Sequence, residues 1–243
     1  MRTARLSITT MRTPRNTGTI SMPRPYISVV IPTRDEEKNV RRVITGIRQI
    51  LKGYRSEIII VDSSHDRTPQ IAKSMGATVI REELGKGAAL ITGFTKARGD
   101  IVISMDADLS NKPKELLLLI SGIEAGYDIC MGSRFMAGGG SEDMTFTRRI
   151  GNKFFVWLVN ALYRSHYTDM CYGYRSFASG VFQKLSLVEQ GFGIETEISI
   201  KSQKAGLKVL EVPSYEKRRV GGVGKLRTFQ DGWNILRTIL KNL

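Results

Sequence analysis

The feature that most constrains this chain is an alternation. Four short runs rich in Val and Ile, YISVVIP (26–32), EIIIVD (57–62), ATVIRE (77–82) and DIVISMD (100–106), are separated by longer segments with apolar residues at helical spacing. The runs are apolar almost throughout, as strands buried on both faces must be. The segments between them, DEEKNVRRVITGIRQILKG, DRTPQIAKSMG and GKGAALITGFTKARG, each end in glycine, a common helix stop. Strand and helix repeated in this order predict an α/β fold: a mostly parallel sheet flanked by helices.

The regular order extends through a helix starting near Pro113, with LLLLI as its buried stripe, to a strand in YDICMGS (127–133). After Gly138-Gly139-Gly140 the character changes. That run and the following SEDMT predict a mobile loop, and RRIGNKFFVWLVNALYRS (148–165) an amphipathic helix dense in aromatic residues. Beyond it the pattern predicts a strand near Tyr174 to Ala178, helices near Ser179 to Leu187 and Glu195 to Ala205, and a strand in KVLEVP. A basic glycine-rich loop, RRVGGVGKL (218–226), precedes a terminal helix, FQDGWNILRTILKNL.

With 243 residues, 41% of them hydrophobic, the chain is expected to form a single domain over 26–243. Residues 1–25 carry five arginines and no acid and read as a disordered basic tail. Removing those five charges from the formal +14 leaves +9 on the rest, so the domain itself favours anionic partners. No apolar run approaches the roughly 20 residues that span a bilayer, so membrane association is expected to be peripheral. Cys130 and Cys171 are too few and too far apart for a disulfide scaffold or a zinc cluster, which fits a reducing, cytoplasmic setting.

Open parallel sheets bind ligands beyond the carboxyl ends of their strands. The residues there are Thr33 to Glu36, Asp62 to Asp66 and Asp106 to Ser110, all acidic groups. A nucleic-acid backbone would have to lie against those acids, and no nucleic-acid-binding motif is present, so nucleic acid is excluded as a partner. Asp106-Ala107-Asp108, after a buried strand, offers two carboxylates to a hard divalent cation, Mn²⁺ or Mg²⁺, holding a diphosphate. Against this stands the capping of the following helix by Asp108 or Ser110. Asp62 is placed to accept hydrogen bonds from a base or ribose, whereas Asp66 reads as a helix cap. His65 has no second histidine or cysteine at ligand spacing. Gly85-Lys86-Gly87 lacks the GxxxxGK[ST] pattern of a phosphate loop, though Lys86 can still reach a phosphate.

Eight motifs in fixed order, VVIPTRDEEKNV, IIIVDSSHDRT, GKGAALITGF, DADLSNKP, GSRFMAGGG, RRIGN, TDMCYGYRSF and RRVGGVGKL, resemble the family 2 glycosyltransferases. Within that family they are most similar to the polyprenyl-phosphate sugar synthases of the dolichyl-phosphate mannose synthase kind. The resemblance covers roughly residues 27–225 and implies a GT-A, Rossmann-like fold. It also implies inverting transfer of a hexose, mannose or glucose, from a GDP- or UDP-hexose to a polyprenyl phosphate at the cytoplasmic face of a membrane. Enzymes of this kind carry membrane helices beyond the matched region or rely on an anchoring subunit.

Carried over residue by residue, the resemblance implies that Pro32, Arg34, Glu36, Ile60 and Asp62 cradle the nucleoside. Asp106 and Asp108 hold the metal and diphosphate, with Ala107 lining that site. Arg134, Arg149, Arg219 and Lys225 handle the donor diphosphate and acceptor phosphate, and Asp169 orients its neighbours. Arg34 stands where users of GDP-mannose have tyrosine, Ser110 where a metal-binding glutamine is common, and Gly224 where serine precedes Lys225; base identity is left open.

A phosphate acceptor also follows from chemistry, because it is already anionic and attacks C1 without a general base, but needs cations to approach a diphosphate. A hydroxyl acceptor would need a base, for which Glu195 and Glu197 are the candidates. Their alternative role is to complement the positive end of a helix. The aromatic and basic residues of the helix in 154–163 and of the terminal helix suit a headgroup layer or, alternatively, a core.

Overall fold

The computed structural model describes residues 24–221 and 228–243. The basic segment 1–25 falls almost wholly outside the described residues, and so does Lys225.

Elements follow in the order β1 (Ile27–Thr33), α1 (Val40–Ile50), β2 (Ser56–Asp62), α2 (Thr68–Ser74), β3 (Thr78–Arg81), α3 (Lys86–Lys96) and β4 (Ile101–Ser104). A short 3-10 turn (Pro113–Glu115) leads into α4 (Leu116–Glu124), β5 (Ile129–Ser133), β6 (Gly140–Ser141) and α5 (Phe146–Tyr163). The chain closes with β7 (Arg175–Ala178), α6 (Val181–Leu185), α7 (Ile194–Lys204), β8 (Val209–Pro213), β9 (Tyr215–Glu216) and α8 (Thr228–Lys241). The main sheet has seven strands in the order β3-β2-β1-β4-β7-β5-β8. β7 runs antiparallel to both its neighbours, and every other pairing in the sheet is parallel.

Residue alternation divides the core into two layers. Val29, Ile31, Ile58 and Ile60 face α1, α2 and α4, whereas Val30, Ile59 and Val61 face the layer made by α3 and α5 to α8. α1 shows how the helices dock: Val40, Val43, Ile44 and Ile47 form its buried stripe at spacings of three and four. α3 comes closer than a side chain would permit, since a Cβ at Gly93 would lie 2.3 Å from Val30 Cγ1. That glycine sets the height of α3 above β1, and so the height of its N-terminal Lys86 above the strand ends.

β5 does not neighbour β4: β7, some 40 residues later in the chain, lies between them. One expectation is corrected. The segment from Gly138 to Thr145 is not wholly loop, because Gly140 and Ser141 pair as β6 with Tyr215 and Glu216 of β9. This two-stranded ribbon ties the region before α5 to the region after β8.

Candidate active site

The carboxyl ends of β1, β2, β4 and β5 open into one cavity of roughly 680 Å³, closed over by α5, the start of α7 and the start of α8. Its floor near β1 is rigid because adjacent loops bond to each other. The Asp35 and Glu36 amides donate to Ser64 Oγ (2.8 Å) and Thr68 Oγ1 (2.9 Å), and the His65 amide donates to Asp35 Oδ1 (2.9 Å). Asp66 takes the Thr68 amide (2.9 Å), closing a turn just ahead of α2, whose N-cap is Arg67 and has no side-chain cap, so Asp66 is not the cap residue expected. Burial opposes the charge of that carboxyl, but the bonds from Thr68 and Glu37 outweigh it and its pKa is lowered.

Pro32, Arg34 and Glu36 line the cavity, as do Lys86, Asp106, Ala107, Asp108, Arg134 and Arg219. Ile60 does not: it is wholly buried in the core on the α1 side, because its position in β2 turns it away from the strand end. Asp62 is also buried, behind the wall. Its carboxylate already accepts from Thr33 Oγ1 (2.7 Å), Ser64 Oγ (2.6 Å), the Ser64 amide (3.2 Å) and Arg81 Nη1 (3.2 Å), so it braces this wall of the cavity from within.

Asp106 and Asp108 face the cavity just beyond β4, and each meets an internal cation. Lys86 Nζ lies 3.0 Å from Asp106 Oδ1 and 2.9 Å from Glu195 Oε1. Burial opposes the Lys86 charge, but the two carboxylates outweigh it and its pKa is raised. Arg219 Nη2 lies 2.8 Å from Asp108 Oδ2. Asp108 Oδ1 takes the Ser110 amide (3.0 Å), closing a turn whose middle residue, Leu109, has φ of +66°. That left-handed conformation costs a non-glycine residue about 1–2 kcal/mol. Neither Asp108 nor Ser110 caps the following helix, which starts after Lys112 without a side-chain cap. The capping alternative therefore fails. Among the described residues no three His, Cys, Asp or Glu side chains converge on a metal position. Two carboxylates facing a shared cavity still suit a hard cation whose remaining ligands are diphosphate and water oxygens.

The arginines separate. Arg134 is nearly buried and bidentate to Asp169, with Nε to Oδ2 at 2.7 Å and Nη2 to Oδ1 at 2.9 Å. Its Nη1 reaches Glu216 at 3.1 Å, and its guanidinium lies over the Tyr172 ring. It is thus a strut between three segments rather than an uncompensated cation. Arg149 is exposed and off the wall. The α5 face toward the cavity carries Thr147, Arg148, Gly151, Asn152 and Phe155, so Arg148 holds the position expected of its neighbour. One residue is about 100° of helical turn, which is the whole difference.

Glu197 is structural: it takes the amides of Val188 (3.0 Å) and Glu189 (2.8 Å) and pairs with Lys201. Glu195 does line the cavity, with Lys86 against it. Gly173 passes so near this group that a Cβ there would lie 3.0 Å from both Glu195 Oε1 and Lys86 Nζ. Cys171 also borders the cavity, with its thiol pushed up to about 12, first by burial and then by Asp169.

Beside the mouth, α5 exposes Phe146, Ile150, Phe154 and Trp157, and α8 exposes Phe229 (91%) and Trp233 (67%). Arg149, Lys153, Arg237 and Lys241 are exposed on the same two helices. No helix among the described residues is long and apolar enough to cross a membrane.

Comparison with known proteins agrees with this geometry. A dolichol-phosphate mannosyltransferase of Pyrococcus furiosus is 35% identical over 210 residues, 83% of this chain and 59% of the relative. A dolichyl-phosphate hexose transferase of Haloferax volcanii is 32% identical over 216 residues, 88% of this chain and 92% of the relative. A hexosyltransferase of low-salt glycan biosynthesis from the same organism is 30% identical over 224 residues, 90% of this chain and 54% of the relative. The chain thus spans little more than half the length of two of these three relatives. Among solved structures, glucosyl-3-phosphoglycerate synthase of Mycobacterium tuberculosis, in complex with Mn²⁺, UDP and glucosyl-3-phosphoglycerate, superposes with a TM-score of 0.70. That match is 22% identical and covers 95% of this chain and 86% of the other; it shows the GT-A fold. The model of glycosyl transferase family 2 matches residues 28–185, from β1 through α6 and including every strand end that opens into the cavity. A sheet of this order, its acids at the end of β4 and a family match over most of the domain lead to one assignment: the chain belongs to glycosyl transferase family 2.

Proposed function

We propose that the protein transfers a hexose, with inversion, from a nucleoside diphosphate sugar to a polyprenyl phosphate at a membrane surface. The observation that carries this reading is the pair Asp106 and Asp108, each neutralised by an internal cation, in a cavity whose mouth borders exposed aromatic helix faces. A divalent cation held by Asp106 and Asp108 would neutralise the charge that develops on the leaving diphosphate. The wall formed by Pro32, Arg34 and Glu36 receives the nucleoside. Lys86 and Arg219 border the two carboxylates and can bond phosphate oxygens. An acceptor phosphate oxygen attacks C1 from the side away from the diphosphate, so the C1–O bond forms as the bond to the diphosphate breaks. No proton has to be removed. This suits the site, because Glu195, the acid on the cavity wall with the best claim to be a base, is held by Lys86 at 2.9 Å. The homologous dolichyl-phosphate enzymes support the choice of acceptor.

The apolar stripes of α5 and α8, with their flanking Arg and Lys, fit the headgroup region of an anionic bilayer. Vesicles containing anionic lipid are expected to sediment the wild type. Trp157→Glu with Trp233→Glu should cut the bound fraction several-fold while transfer to a short, detergent-solubilised acceptor persists. Unchanged sedimentation would remove the membrane from this reading.

Transfer itself is tested with radiolabelled GDP- and UDP-hexoses, a polyprenyl phosphate and Mn²⁺ or Mg²⁺, with and without chelator. Label is expected in the lipid fraction only when metal is present. Donor hydrolysis without lipid product would indicate a hydroxyl acceptor, and no use of any donor would defeat the proposal.

A further inference from the structure

We infer that Glu189 is a positioning residue for Lys86: it aims the carbonyl that caps α3 and ties that cap to α8. This rests on the reading that Lys86 bonds the donor's diphosphate.

Lys86 is the first residue of α3, so its aim into the cavity is set by how that helix begins. The first amides of a helix have no partner within it, and no side chain among the described residues caps these. A carbonyl from the loop between α6 and α7 does so instead. Gln190 O takes the Gly87 amide (2.8 Å) and the Ala88 amide (3.2 Å). Only glycine permits so close an approach: a Cβ at Gly85 would lie 2.6 Å from Gln190 O, and one at Gly87 2.1 Å from Glu189 O. Those two amides are committed to the protein, so at this end of α3 a phosphate is left to the Lys86 ammonium, which already meets Asp106 and Glu195.

Gln190 is itself exposed, so its carbonyl has to be aimed by a neighbour. Glu189 does this with both carboxylate oxygens. Oε1 takes the Gly191 amide (3.1 Å), which closes a turn around Gln190, and Oε2 takes the hydroxyl of Thr238 (3.0 Å), a buried residue of α8. The backbone before Gln190 is pinned separately, by the Val188 and Glu189 amides on the Glu197 carboxylate of α7. The Glu189–Thr238 contact is tightly enclosed: a Cβ at Gly193 would lie 2.5 Å from Thr238 Oγ1 and 3.1 Å from Glu189 Cδ. A continuous path therefore runs from α8, which exposes Trp233 and lines the cavity with Ile235, through Glu189 and Gln190 to Lys86.

A chain of contacts does not by itself establish coupling, whereas a double-mutant cycle measures it. Affinity for UDP and for GDP, with Mn²⁺ present and no acceptor, is measured calorimetrically in the wild type, Glu189→Ala, Lys86→Met and the double variant. For the nucleotide that the wild type binds more tightly, E189A is expected to weaken binding about fivefold or more and K86M about tenfold or more. In the K86M background, E189A should weaken it by less than about twofold, because the group it positions is gone. A purely structural role would give the same fold loss in both backgrounds. Should E189A not fold, Thr238→Val takes its place in the cycle: it keeps the shape, removes the hydroxyl that Glu189 accepts from, and is expected to cost about threefold in the presence of Lys86 only. Four results would overturn the inference: unchanged affinity in E189A, unchanged affinity in K86M, an equal fold loss in both backgrounds, or no binding of either nucleotide by the wild type. Coupled nucleotide binding without sugar transfer would defeat the proposed function and leave this inference standing.

Discussion

Asp108→Asn is expected to lower kcat/KM for sugar transfer by on the order of 10³-fold with little change in stability. The substitution keeps an oxygen to receive the Ser110 amide, so the strained turn through Leu109 has its brace, but it removes the charge that faces Arg219 and the cavity. Mn²⁺ affinity, read from the electron spin resonance of free Mn²⁺ with nucleotide present, should fall at least tenfold in parallel. Thermal unfolding checks that the fold survives. Near wild-type turnover and Mn²⁺ affinity would mean that Asp108 only shapes its turn, and the proposed chemistry would lose its centre.

The largest effect on stability is expected at Arg175, which lies 1% exposed in β7. Among the described residues no carboxylate pairs with it. Its Nε donates to Tyr172 O (2.9 Å), its Nη1 to Glu195 O (2.9 Å) and Ser199 Oγ (3.0 Å), and its Nη2 to Met170 O (2.9 Å). Burial lowers its pKa, against the pull of Glu195. Arg175→Met preserves much of the volume but strips Tyr172 O and Met170 O of their donor, while Glu195 O keeps the bond from Ser199 Oγ. Each such loss costs about 1–3 kcal/mol, so unfolding in urea should reveal a loss of at least about 2 kcal/mol. Those two carbonyls belong to the loop that carries Gly173 past Lys86, so activity should fall with stability. A midpoint unchanged from the wild type would mean that water satisfies them equally well.

The parts of this architecture that the chain announces are the local ones. β1 to β4 and their helices are legible because each strand and each crossover is complete within some 30 residues, and the acids at the end of β4 could be placed for that reason. The position of β7 was not legible. Nothing in YRSFA states a direction, and its pairing with Ile101 to Ser104 spans over 70 residues. α5 misleads in a different way. The resemblance carries Arg149 over from the motif RRIGN, but the apolar residues at positions 146, 150, 154 and 157 face outward and Arg149 is exposed with them, while Arg148 lines the cavity. Adjacent arginines at the start of such a helix were the signal that both needed weighing. Arg134 was recognised as a site residue, but the carboxylates that hold it lie 35 and 82 residues away, too distant for pattern to predict.

The strand order has an implication for how such proteins diversify. Everything before residue 105 builds one contiguous flank of the sheet, β3-β2-β1-β4, and everything after it builds the other, β7-β5-β8. The wall proposed to receive the nucleoside is therefore inherited as one stretch of chain, and the α5 wall as another. A lineage can remodel the chain beyond the Asp106–Asp108 turn, by recombination or by drift, and acquire a new recipient while the nucleoside wall and the two acids are untouched.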